Sequence, residues 1–177
     1  MRTLIVTLLA ACSLTVSRQL FSQARAQEIA AAFNKHKSVV KDNHGVRREK
    51  YKDVRSEPFV KQNIRDYSGV YEVPELGYVL TIQVGADGRV HANGHEGSED
   101  LRPFDLHNAR IEGALLTGTK VYPDGSTESF EGVFMTRIAS DSPADPGHIT
   151  FGLGVLRRPP IERAGMTYDK LFYHLKQ

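Results

Sequence analysis

The chain has 177 residues, a formal net charge of +2 and a single cysteine, Cys12. One cysteine excludes an internal disulfide framework and a cysteine-ligated metal cluster, so stability has to come from core packing. Apart from the first residues no apolar run approaches the length of a membrane-spanning helix.

The first 26 residues, MRTLIVTLLAACSLTVSRQLFSQARA, read as a secretory signal peptide. One arginine precedes an apolar run from Leu4 to Val16, and Ala24-Arg25-Ala26 supplies the small-x-small pattern of a cleavage site before Gln27. The protein is therefore expected to be exported, periplasmic or secreted. Leu9-Ala10-Ala11-Cys12 offers an alternative, a lipobox that would leave a lipoprotein anchored at Cys12. Cleavage before Gln27 leaves one domain, long enough to bury about two thirds of its unfolded surface.

Residues 27–65 are expected to form a basic helical arm. Ile29, Phe33 and Val40 share a helical face, Gly45 supplies a cap, and VRREKYKDVRSE reads as a second helix stopped by Pro58. From Lys35 to Arg65 there are ten Lys or Arg against four Asp or Glu; from Asp66 onward there are ten against sixteen. The basic arm complements an acidic body. It either lies on its own domain or contacts an anionic partner such as a phospholipid surface or an envelope polymer. An acidic body and export both argue against nucleic acid as a partner.

Residues 66–177 read as an antiparallel β-barrel domain. Leu80, Ile82 and Val84 alternate with polar residues, a Gly-Ala-Asp-Gly turn follows, and Val90, Ala92 and Gly94 alternate with Arg89, His91, Asn93 and His95. EGSEDLRP, from Glu96 to Pro103, reads as an acidic surface loop. The hairpin ALLTGTKVYPDGSTESFEGVFMTRI turns at Pro123-Asp124-Gly125. ITFGLGVL puts Phe151, Leu153 and Val155 on one face and bare Gly152 and Gly154 on the other, and YDKLFYHLK closes the chain as a strand or a short helix. Strands starting near Tyr67, Tyr78, Arg89, Phe104, Ala114, Thr127, His148 and Tyr168 make a meander of about eight strands, suited to a small lipocalin-like barrel with one or two N-terminal helices.

The run YSGVYEV followed by VLTIQVGADGRVHANG, about thirty residues in all, resembles the β-barrel domains appended to serine β-lactamase-like hydrolases. More loosely it is similar to lipocalin-type barrels. The first resemblance implies an accessory role, with catalysis carried elsewhere.

Chemistry is sparse. Gly-x-Ser-x-Gly, Ser-x-x-Lys and phosphate-loop patterns are all missing, and no cofactor is implied. His91 and His95 lie about 13 Å apart along a strand, too far to share a zinc ion, so no metal ligands are assigned. Glu112, Glu128 and Glu131 read as solvated sheet surface. The candidate ligand-binding set is Tyr71, Phe134, Phe151, Gly152 and Gly154, where aromatics and glycines meet at one end of the barrel. These readings point to an exported, non-enzymatic module that binds a small or extended ligand or an envelope partner. The alternatives are an assembly protein docking through its basic arm and, third, a hydrolase with a site in the barrel mouth.

Overall fold

In the computed structural model the described residues are 2–41, 48–141, 145–157 and 169–176. They form one helix, α1 (Arg2–Ala32), and ten strands: β1 (Lys35–Lys41), β2 (Arg48–Pro58), β3 (Gly69–Val73), β4 (Tyr78–Val84), β5 (Val90–Glu96), β6 (Arg102–Glu112), β7 (Leu115–Val121), β8 (Thr127–Ser140), β9 (His148–Arg157) and β10 (Asp169–Leu175). Short 3-10 turns cover Ile64–Tyr67 and Pro74–Leu76. No described helix is long and apolar enough to cross a membrane.

From β3 to β10 each strand pairs antiparallel with the next, and β10 pairs back onto β3 through His174 with Glu72 and Leu175 with Tyr71. The result is a closed eight-stranded up-and-down barrel, which leaves no free edge among those strands. The expected barrel and the eight expected strand starts are met to within two residues, and the last element is a strand. Two Asp-Gly turns repeat one device. Asp87 accepts from the Arg89 N–H, Asp124 accepts from the Ser126 N–H, and Gly88 and Gly125 take the left-handed conformations that each turn requires. Strand β6 carries a register shift between His107 and Arg110, with Asn108 at φ 53°, a conformation that asparagine tolerates.

Period two now acquires a direction. Tyr71, Leu80, Ile82, Leu116, Phe134 and Leu153 point inward and are almost completely enclosed, so the barrel interior is a packed core. The outer face of β7, β8 and β10 carries a second apolar cluster, in which Ile29, Ala30 and Phe33 of α1 cover Leu115, Val133, Met135 and Phe172. Apolar residues on both faces of β8 thus have separate partners.

The basic arm differs from expectation. Helix α1 ends at Ala32, and both Lys35–Lys41 and Arg48–Pro58 are strands instead of helices, paired antiparallel as β1 and β2, while Val46 lies outside the described residues. The 3.6-residue reading of Val46, Tyr51 and Val54 loses to alternation: Val54 and Ser56 are buried while Arg55 and Glu57 are exposed. Strand β8, 14 residues long, makes this possible. One of its edges is used first by β7, up to Val133, and then by β2 from Met135 onward. The cap expected at Gly45 and the segment 158–168 between β9 and β10 lie outside the described residues.

Candidate functional site

The barrel has two chemically distinct ends. At the first, Phe134 is the centre of an aromatic stack: Tyr67 lies on it at 4.2 Å between ring centroids, Tyr71 tilts against it at 5.7 Å, and Phe151 stacks parallel at 6.4 Å. Phe59, just past β2, packs edge-on against Phe151 at 5.5 Å, and the Lys61 ammonium sits 4.5 Å from the Phe151 centroid. The Tyr67 hydroxyl fixes this end. It accepts from the Lys61 N–H at 2.8 Å and lies 3.0 Å from the Gly113 carbonyl, to which it can donate, while Tyr71 donates to the Tyr67 carbonyl at 2.8 Å. Burial pushes both phenols up from their ordinary value, although the hydrogen bond from Lys61 partly opposes the shift at Tyr67.

Tyr71, Phe134 and Phe151 lie together here, two enclosed and Phe151 half-buried at the surface. Gly152 and Gly154 do not join them. Their positions on β9 alternate with Phe151, Leu153 and Val155, so they face outward. A Cβ on Gly154 would collide with Met135 Cε and meet Phe33 at 3.0 Å; one on Gly152 would collide with the Tyr173 carbonyl. The bare stripe is filled by packing, the commoner use of strand glycines.

The second end is charged. The Glu96 carboxylate accepts a hydrogen bond from Lys120 Nζ and lies 3.2 Å from Arg157 Nη2, with the Glu96 and Lys120 side chains 5% and 4% exposed. Lys120 also faces the rings of Phe104 at 4.9 Å and Phe130 at 5.3 Å. Arg157 donates to the Tyr78 hydroxyl at 3.0 Å, and Tyr122 donates to Glu128 at 2.9 Å. Arg102 closes the mouth by stacking 3.6 Å from the Tyr122 centroid. Burial works to lower the Arg157 value, but Glu96, Tyr78 and Glu128 together outweigh it and leave it raised. Burial pushes the Tyr122 and Tyr173 phenols up, and the negative Glu96 adds to both shifts.

This cluster corrects one expectation. Glu96 ends β5 inside the barrel and does not belong to a surface loop, which shrinks to residues 97–101. Glu128, Glu131 and Glu112 are engaged as well: Glu128 with Tyr122, Glu131 with Arg25, and Glu112 with Ser22. The signal that could have revealed the cluster is phase. Glu96 follows Ala92 and Gly94, Lys120 follows Leu116 and Gly118, and Arg157 follows Leu153 and Val155, each in the inward phase of its strand. Chemically, two carboxylates against two cations form a closed network, and its charges are committed to one another.

No family model, no curated protein and no solved structure matches the chain. Outside the barrel, strands β5 and β6 border a shallow groove of about 370 Å³ whose walls include Asn93, Pro103, Asp105 and Tyr122. His91 and His95 lie on this outer face, in antiphase to Ala92 and Glu96. Among the described residues no group of three His, Cys, Asp or Glu side chains could hold a metal ion.

Proposed function

We propose that the protein is an exported, non-enzymatic binding module that meets an extended ligand or an envelope partner at the aromatic end of its barrel. One contrast carries this reading: Tyr71 and Phe134 are enclosed, which leaves no room within the barrel, whereas Phe151 surfaces beside Phe59 and Ile149 is 70% exposed on the same face of β9. Covering such apolar surface gains about 25 cal/mol per Å². Lys61 at the same rim suits a partner that carries an acidic group next to its apolar contact. Export is inferred from the leader, and an accessory role agrees with the resemblance to barrels appended to hydrolases.

Anilinonaphthalene sulfonate, with apolar rings and one acid group, is a suitable probe. The folded protein should bind it with a blue-shifted emission, and Ile149→Asp should remove most of that signal without changing Tm. Equal signals from the two proteins would rule out the rim. In cells, a photoreactive residue at 149 should give envelope adducts that the same residue at exposed Gln83 does not.

A second reading, an assembly protein that docks through its basic arm, is favoured by the β1–β2 hairpin. Among the described residues β1 pairs only with β2, so its outer edge ends the sheet. Such an edge can take up an extended strand. Deleting residues 35–50 would abolish docking on that reading and spare adducts from position 149.

A further inference from the structure

The C-terminal half of α1 is built into the domain. Ala26 is 3% exposed and belongs, with Ile29, Ala30 and Phe33, to the cluster that covers Val133 and Met135. Polar contacts extend further upstream. Ser22, 4% exposed, donates to Glu112 Oε2 at 2.9 Å, and Arg25 Nη2 donates to Glu131 Oε2 at 2.7 Å. The barrel thus presents two carboxylates to residues that a cut before Gln27 would discard.

From this fit we infer that the export cut lies N-terminal to Ser17, and that residues 17–32 remain in the mature protein as a helical strap on the outside of the barrel. A chain beginning at Gln27 would keep only the helical residues Gln27 to Ala32. That is far short of the roughly 12–15 residues at which an isolated helix becomes even marginal. Its new α-ammonium would also stand at a helix N-terminus, where the macrodipole disfavours positive charge. Ala26, the last residue of the small-x-small triplet, faces the barrel, so in the folded chain its methyl is not free to enter a protease pocket. The Leu9-Ala10-Ala11-Cys12 motif lies upstream and supplies a cut that leaves the strap whole. The step itself is hydrolysis of one peptide bond by a signal peptidase of the export pathway, with water providing the hydroxyl of the new carboxylate and a proton of the new amine.

The test is the intact mass and N-terminal residue of the full chain after expression in an export-competent bacterium. The expected product begins after Met1 and no later than Ser17, in the soluble envelope or in the membrane fraction. The inference rests on the export reading, and the outcomes separate the two. A product beginning at Gln27 overturns the inference alone, and an unprocessed cytosolic chain overturns both. As a second measurement, Ala26→Asp places a charge in the strap's buried face and should lower the Tm of the purified protein by at least about 4 °C. An unchanged Tm would remove the strap from the fold.

Discussion

Lys120 and Glu96 meet inside the barrel although strand β6 separates their own strands, and Arg157 reaches the same carboxylate from β9. Taking one partner from a buried pair leaves the other charge uncompensated, whereas removing both is far less damaging. Glu96→Gln should therefore cost about 3–5 kcal/mol, since it strands both Lys120 and Arg157. Adding Lys120→Met to Glu96→Gln should recover about 1 kcal/mol or more, because the two residues couple directly. Urea unfolding of the two single variants and the double variant measures this. Strict additivity would mean that the contact contributes nothing to the folded state.

The buried phenols set the alkaline limit of stability. Tyr71, Tyr122 and Tyr173 are all pushed up from the ordinary value by burial. Since the folded values lie above the unfolded value of about 10, the contribution of these groups is complete below about pH 10 and is lost as pH rises beyond it. Of the seven tyrosines in the chain, these three and Tyr67, which burial also pushes up, should resist ionisation until the fold gives way. An ultraviolet tyrosinate titration followed beside circular dichroism checks this. Titration of all seven with the fold intact would show that water reaches the barrel interior.

The meander was legible because its strands alternate and its turns carry Asp-Gly pairs, features that local sterics impose without help from tertiary contacts. What stayed hidden depends on phase and partners. Alternation in LLTGTKVY does not say which set faces inward, and an inward Lys120 makes sense only once Glu96 is known to stand opposite. The arm reads as helical because Val46, Tyr51 and Val54 suit one helical face, and alternation decides only once β8 extends beyond β7 and offers β2 a partner. Tyr71 and Phe134 are expected at one end of the barrel as aromatics of its strands, and the structure puts their rings 5.7 Å apart. Gly152 and Gly154 are expected to leave room for a ligand because their strand face is bare, but Met135, Phe33 and the β10 backbone fill that face, and no local pattern announces those partners.

Tyr67→Phe isolates one hydroxyl. The ring keeps its stack on Phe134, but the Lys61 N–H loses its acceptor and the Gly113 carbonyl loses a donor. The expected cost is about 1–3 kcal/mol, the range for leaving buried polar groups unpaired. Because the lost contacts tie the segment after β2 to the β6–β7 turn, faster amide exchange should be confined to Lys61 and its neighbours. Exchange that accelerates evenly across the barrel would argue against a local tether.

Gly154 and Gly152 separate two kinds of crowding on the same strand. A methyl at Gly154 meets the end of the flexible Met135 side chain, which can turn aside, whereas a methyl at Gly152 meets the Tyr173 carbonyl of the neighbouring strand. Gly154→Ala should therefore cost about 1–3 kcal/mol, the usual range for overpacking. Gly152→Ala should cost more, because relief requires β9 and β10 to move apart at the ladder pairing Gly152 with His174. Chemical denaturation ranks the two. Both variants should bind anilinonaphthalene sulfonate as the parent does, since neither glycine faces the aromatic rim. Loss of dye binding in a stably folded Gly154→Ala protein would place the binding surface on the outer face of β9.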